Sequence, residues 1–250
     1  MRAYAFLGDA LKPYHAAVVE ALRVRGHDLA PLETGSLDDV AALASAEPAL
    51  LFLCGLPYVH LRDAGLPVEP LAAPVSAGTG DPSPWYRSVL VARAGLAGAG
   101  LDDLHGLRLA INHRESMSGW VLPVGSGLPL DRFDEIAATG AHRSSLDALL
   151  AGEADAAPID SHVLAVEAVA QPELRDLPVL AEYGPSPSPP VVLAGAGDAD
   201  ALRADLVALA ADDDGAAALA LGSIERLDAV DDAFYDATRA CDRRAALCTR

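Results

Sequence analysis

Leu107-Arg108-Leu109-Ala110-Ile111-Asn112-His113-Arg114-Glu115-Ser116-Met117-Ser118-Gly119-Trp120 runs from an apolar stretch through a charged corner into a serine- and glycine-rich turn. Leu107–Asn112 has the short aliphatic run of a buried strand, and the residues after Ser118 read as a helix. Two serines and a glycine between a strand and a helix gather backbone N–H groups and hydroxyls around one concavity. The helix start adds roughly half a positive charge. Such a turn holds a tetrahedral oxyanion without any Lys or Arg. The same spacing also suits an ordinary helix cap by Ser116 or Ser118.

Outward from this stretch, strands and helices alternate. Arg2–Leu7 reads as a strand and Tyr14–Arg25 as a helix stopped by Gly26. Leu50–Cys54, between Pro48 and Gly55, is a buried strand, and Val89–Arg93 is another. Ser144–Ala151 is a helix with Gly152 just past its end, and Ala156–Ile159 is a strand that leads into a helix at Asp160. Asp198–Arg250 carries helical periodicity only. The alternation predicts an α/β fold with mainly parallel sheets. Two turn-rich stretches interrupt it, Ala77–Pro84 and Gly184–Pro190. Each is either a surface loop or a crossing between two lobes.

Composition narrows the function classes. The chain has 250 residues, enough for one large domain or two small ones. Hydrophobic residues make up 52% and aromatic residues only 5%, so the core must be built from Ala, Leu and Val. Asp and Glu number 36 against 18 Lys and Arg, a formal charge of -18. That balance repels phosphate backbones and anionic lipid surfaces, which argues against a nucleic-acid partner. No apolar run reaches the ~18 residues of a membrane span. The N-terminal residues lack the apolar stretch of a signal peptide, so the expected location is cytoplasmic as the sequence is written, and periplasmic or extracellular if a signal was removed. Among the 3 cysteines, Cys241 and Cys248 lie about two helical turns apart, roughly 10 Å, too far for a disulfide.

A second stretch carries candidate chemistry: Thr139-Gly140-Ala141-His142 opens the Ser144–Ala151 helix, and Asp160 ends the Ala156–Ile159 strand. His142 at a helix start is placed to donate to an anion. Asp160 sits where α/β folds place ligand contacts. Both also fit plain caps. A hydrolase pattern is missing, because Gly125-Ser126-Gly127 lacks nucleophile-elbow spacing. His105, His113, His142 and His162 show no metal-ligand pairing. Asp212-Asp213-Asp214-Gly215 lacks the glutamate of a calcium loop and reads as a solvated helix junction. The glycines of 95–100 and 195–197 form no dinucleotide turn, so no pattern calls for a cofactor.

Four stretches in order, over roughly residues 50 to 195, resemble the PhnD-like phosphonate/phosphate-binding family of the type 2 periplasmic solute-binding fold. Phe52-Leu53-Cys54-Gly55-Leu56-Pro57-Tyr58 is similar to its Cys-Gly-Tyr-Pro-Tyr segment, and Tyr86-Arg87-Ser88-Val89-Leu90-Val91 to its Tyr-x-Ser strand. Leu107–Gly119 resembles its strand ending in Asn and Ser-x-Ser-Gly. Thr139–Asp160 resembles its Thr-Gly-Ser-His, Gly-Glu-Ala-Asp and Ile-Asp run.

The resemblance implies two α/β lobes joined by two crossing strands and closing over a small oxyanion, a phosphonate or phosphate-like compound. Lobe I would comprise residues 1–87 and 190–250, and lobe II residues 88–189. Carried over, Ser116, the Met117 N–H and Ser118 hold the anion, His142 adds a donor, Tyr58 and Tyr86 line the cleft, and Asp160 takes a donor elsewhere on the ligand. An ABC-transporter permease is the implied partner if the chain is exported. Met117 and Leu56 depart from the pattern, replacing a hydroxyl residue and a Tyr, and Pro185–Pro190 offers no carboxylate for a ligand amine. A cytoplasmic enzyme or a ligand sensor on the same fold is the alternative.

Overall fold

The computed structural model describes residues 1–77, 82–96, 101 and 105–249. In chain order the elements are β1 (Arg2–Ala5), α1 (Lys12–Val24), β2 (Leu32–Thr34), α2 (Val40–Ala46), β3 (Ala49–Phe52), α3 (Gly55–Asp63), β4 (Val68–Ser76), β5 (Trp85–Ala92), β6 (Leu107–Ile111), α4 (Leu122–Gly125) and β7 (Phe133–Ala138). They continue with α5 (His142–Ala151), β8 (Ala156–Asp160), α6 (Ser161–Ala170), β9 (Val179–Pro187), β10 (Val191–Ala194), α7 (Ala199–Ala208), α8 (Asp213–Ala220), β11 (Ile224–Ala229) and α9 (Asp236–Cys248). Contacts divide the chain into two compact units, Met1–Trp85 with Pro187–Thr238, and Tyr86–Ser186 with Arg239–Arg250. The chain passes between them within β5, within β9 and within α9.

The first unit is built on a sheet of order β11-β4-β10-β3-β1-β2. Strand β3 has neighbours on both sides and is no more than 2% exposed at any residue, which is why it reads as an unbroken aliphatic run rather than an alternation. Each fully buried Leu or Phe of that run contributes about 1.5–3 kcal/mol of transfer free energy. Helix α1 lays Tyr14, His15, Val18, Val19 and Leu22 inward at helical spacing.

The second unit carries a sheet of order β7-β6-β8-β5-β9, with β6 parallel to β7 and β8, and β5 antiparallel to β8. Alternation sorts its faces. Val89, Val91, Ala157 and Ile159 pack with Leu146 and Leu149 of α5 and Ala168 of α6 in one core. Ser88 and Leu90 point to the opposite face, where Ser88 lies directly across from Asp160. Helix α5 stops at Gly152, whose φ of 71° is left-handed, and the N–H groups of Glu153 and Ala154 return to the Ala148 carbonyl. Asp155 is tied to three donors: the Arg108 backbone N–H, the Arg108 guanidinium and the Arg93 guanidinium. The Arg108 guanidinium, first among these, holds its carboxyl far below the usual carboxylate range.

Two expectations need correction. The tail is not helical throughout, because β11 pairs antiparallel with β4. Ile224 and Leu227 are three apart, the spacing of a helix face, but a register shift between Ile224 and Arg226 turns both inward on a strand. The proline-rich stretch, left open as a surface loop or a crossing, is in part a strand, and the chain passes from one unit to the other within it. Strand β9 extends through Pro187, and prolines are tolerated there because β9 is the edge of its sheet. Of the other interruption, residues 78–81 lie outside the described residues, as do 97–100 of the glycine-rich stretch. The Asp212 stretch is a helix junction: the Asp212 side chain accepts from Gly215 N–H at 2.8 Å and caps α8. Residues 239–250, which the sequence grouped with lobe I, pack in the second unit.

Candidate functional site

Strand β6 ends at Ile111, and the chain turns through Asn112 to Ser116 before winding into a wide helical turn over Met117–Val121 that continues as α4. The Ser116 carbonyl accepts from both Trp120 N–H and Val121 N–H, at 3.2 and 3.0 Å. The second of these spans five residues, the widened geometry that recurs at functional sites. Ser116 is the cap: its Oγ accepts from Gly119 N–H at 3.0 Å. The N–H groups of Met117 and Ser118 occupy the first helical positions and have no acceptor within the helix.

Asn112 organises the turn. Its Oδ1 accepts from His113 N–H at 2.8 Å, so Nδ2 is the donor, and it reaches Ser116 Oγ at 3.0 Å and His142 Nε2 at 3.3 Å. Ser118 Oγ stands 2.9 Å from the same His142 Nε2. A Cβ on Gly119 would lie 1.7 Å from Asn112 Oδ1, so only glycine allows this approach. The structure therefore brings Ser116, Met117, Ser118 and His142 into one cluster.

Proton positions follow from these partners. Ser116 Oγ accepts twice, from Asn112 and from Gly119, which uses both of its lone pairs. Its hydroxyl proton has no acceptor among the described residues, although Ser116 is only 8% exposed. His142 accepts at Nε2 from Asn112, so its proton resides on Nδ1, which is covered and without a partner among the described residues. Burial lowers the imidazole to about 4, and the ring is neutral at pH 7.

Asp160 lies at the end of β8, the strand that pairs directly with β6. The strand residue opposite it, Ser88, donates its hydroxyl to the Ser118 carbonyl at 2.7 Å. Asp160 Oδ1 caps α6 by accepting from His162 and Val163 N–H at 2.9 and 3.3 Å. Burial raises its carboxyl to about 6, against the lowering effect of those two N–H groups. Tyr86 is buried on β5 in the same unit. Tyr58 belongs to the other unit: it is fully buried on α3, donates its hydroxyl to Asp232 at 2.6 Å and meets Tyr235 edge-on at 4.9 Å. Asn112 and Ser88 are the partners that spacing did not single out. Their roles come from strand ends brought together in space; in the sequence they stand only inside the Tyr-x-Ser and strand-ending-in-Asn segments of the resemblance, with no role attached.

A family model described as "ABC transporter, phosphonate, periplasmic substrate-binding protein" matches residues 38–235. No curated protein matches the sequence. Among solved structures, the chain is similar to a binding-protein component of an ABC phosphonate transporter from Pseudomonas aeruginosa, with 16% identity and a TM-score of 0.82 over 100% of this chain and 87% of that one. It is also similar to PhnD1 from Prochlorococcus marinus in complex with methylphosphonate, with 15% identity and a TM-score of 0.81 over 98% of each chain. XAC2383 from Xanthomonas citri bound to ATP follows with 15% identity and a TM-score of 0.72, over 100% of this chain and 98% of that one. At such identities these structures establish the fold, a type 2 periplasmic-binding-protein architecture with two mixed α/β sheets. The family match covers most of the sequence, and the chain belongs to the periplasmic substrate-binding proteins of phosphonate ABC transporters.

Proposed function

We propose that this protein captures a phosphonate or phosphate-like oxyanion at the Ser116–Gly119 turn and hands it to the permease of an ABC transporter. One observation carries the reading: the buried Ser116 hydroxyl has both lone pairs committed and its proton unassigned. A buried donor left unmade costs about 1–3 kcal/mol, and an anion oxygen repays it. The Met117 and Ser118 N–H groups and the Nδ1–H of His142 are further donors without a partner among the described residues. All of these are neutral dipoles, which suits an anion held in a chain of formal charge -18. Asp160 then meets whichever ligand oxygen carries a proton. No helix among the described residues is long and apolar enough to cross a membrane, and the periplasm, the compartment of the family, is the one in which a binder that feeds a transporter acts.

Ser118 and His142 also stand at the distance of a nucleophile and its base. A hydrolase needs that imidazole oriented by a carboxylate and titrating near neutrality. Here Nδ1 has no partner and burial holds the ring near 4, so binding is favoured over turnover.

Calorimetric titration with methylphosphonate, phosphite, phosphate and sulfate tests the proposal, with phosphorus NMR of the recovered ligand. A phosphorus oxyanion present at a hundred times its Kd should add about 2.7 kcal/mol of stability and be recovered unchanged. Ser116→Ala and Ser118→Ala should each weaken its binding about ten- to a hundredfold, or ~1–3 kcal/mol. Full affinity in both variants, or indifference of the wild type to every phosphorus oxyanion, would refute the assignment.

A further inference from the structure

The groups that form the proposed anion site carry no formal positive charge. The serines are neutral, the His142 ring is neutral, and Asp160 is an acid. The second unit has arginines, but several are neutralised by carboxylates: Arg93 and Arg108 by Asp155, Arg143 by Glu167 and Asp147, Arg87 by Glu182. Arg114 is different. It lies two residues before the Ser116 cap, is exposed, and forms no ion pair with any described residue, not even with its neighbour Glu115. Its guanidinium instead rests on the Trp120 ring, 4.3 Å from the ring centroid.

The placement of Trp120 makes this contact directional. Side chains on a helix lean toward its N-terminal end, so the indole at the fourth position after Ser116 covers the opening turn. Trp120 is 6% exposed, and the Arg114 guanidinium lies over its ring. Stacking fixes the long Arg side chain and leaves its N–H fork to solvent. The result is an unpaired cation held beside the turn whose Met117 and Ser118 N–H groups lack acceptors, within a chain that otherwise repels anions.

We propose that Arg114, aimed by Trp120, is the charge that draws the anionic ligand to this turn and sets its association rate. This rests on the oxyanion-binding reading above. The alternative is that Arg114 merely packs on Trp120 and fixes the path of the chain into the helix.

Two substitutions separate these roles: Arg114→Leu keeps an apolar contact with Trp120 and removes the charge, and Arg114→Lys keeps the charge. Stopped-flow tryptophan fluorescence with methylphosphonate, and with phosphate, gives association and dissociation rates. At ~20 mM ionic strength, Arg114→Leu should lower the association rate about three- to tenfold and leave dissociation within about twofold. At ~0.5 M NaCl the difference should fall below about twofold, because the charge is screened. Arg114→Lys should recover at least about half of the rate, and the melting temperature of both variants should match the wild type. An Arg114→Leu rate equal to wild type at low salt overturns the proposal, and so does a loss that persists at high salt with a lowered melting temperature. If wild-type protein binds neither methylphosphonate nor phosphate, the oxyanion reading falls and the role of Arg114 falls with it. If wild type binds and Arg114→Leu is unaffected, the role of Arg114 alone is wrong.

Discussion

Asn112 spends its whole side-chain amide inside the candidate site: Oδ1 on His113 N–H, and Nδ2 on Ser116 and His142. Through it the protonation of His142 is coupled to the Ser116 hydroxyl. Asp160 and His142 respond to pH with opposite sign. The Asp160 carboxyl is raised from 3.8 to about 6, so the folded state holds its proton more tightly than the unfolded chain. Stability is then lost as pH rises from about 4 to 6 and stays lower above that. His142 is lowered from 6.5 to about 4, so its contribution is present above pH 6.5 and lost as pH falls toward 4. Asp160→Asn keeps an oxygen to cap α6 and removes the buried charge. It should be more stable than wild type at pH 7 by about 2–3 kcal/mol, with the gain gone by about pH 4. Urea denaturation at the two pH values measures this, and a destabilised variant at pH 7 would mean that the two capping N–H bonds outweigh the burial. Ser116, Ser118 and His142 were legible in the sequence because capping and donor spacing are local. The parts played by Asn112 and Ser88 were not, although both lie in the matched segments, because one side chain and one strand pairing connect them to the turn only after folding.

Helix α5 presents His142 at its first residue and ends at Gly152 in a left-handed conformation with open space where a Cβ would be. Gly152→Ala should therefore cost about 1 kcal/mol through backbone strain alone. Oxyanion affinity should stay unchanged, since His142 lies at the other end of the helix. A chemical denaturation curve and one titration check both halves, and a loss of affinity would show that the C-terminal cap sets the position of His142. The elements that sequence reading recovered, β3, β6, β8, α1 and α5, are those whose burial follows a simple period. Two elements escaped it for reasons of partnership. Strand β11 breaks its own alternation with a bulge, and β9 carries prolines that only an edge position permits.

At the scale of the whole molecule, a formal charge of -18 acts against compaction. Added NaCl should raise the melting temperature between about 10 and 200 mM, as screening shortens the range of repulsion from ~30 to under ~10 Å. A melting temperature that falls with salt would show that the ion pairs, such as Arg2–Glu33 and Arg203–Glu69, outweigh the net charge. Neither unit is a continuous segment, and the second is completed by α9. The Cys241 Sγ approaches the Val121 carbonyl at 3.5 Å, Arg244 donates to the Gly125 carbonyl at 3.1 Å, and a Cβ on Gly125 would press 2.7 Å from the Cys241 carbonyl. The helix that presents Ser116 and Ser118 therefore rests on a segment that follows every other described element in the chain. During synthesis, a growing chain has made its serines, its histidine and its whole second sheet before the support beneath them exists. The turn that carries Ser116 and Ser118 therefore gains the packing beneath it only after translation has passed α9.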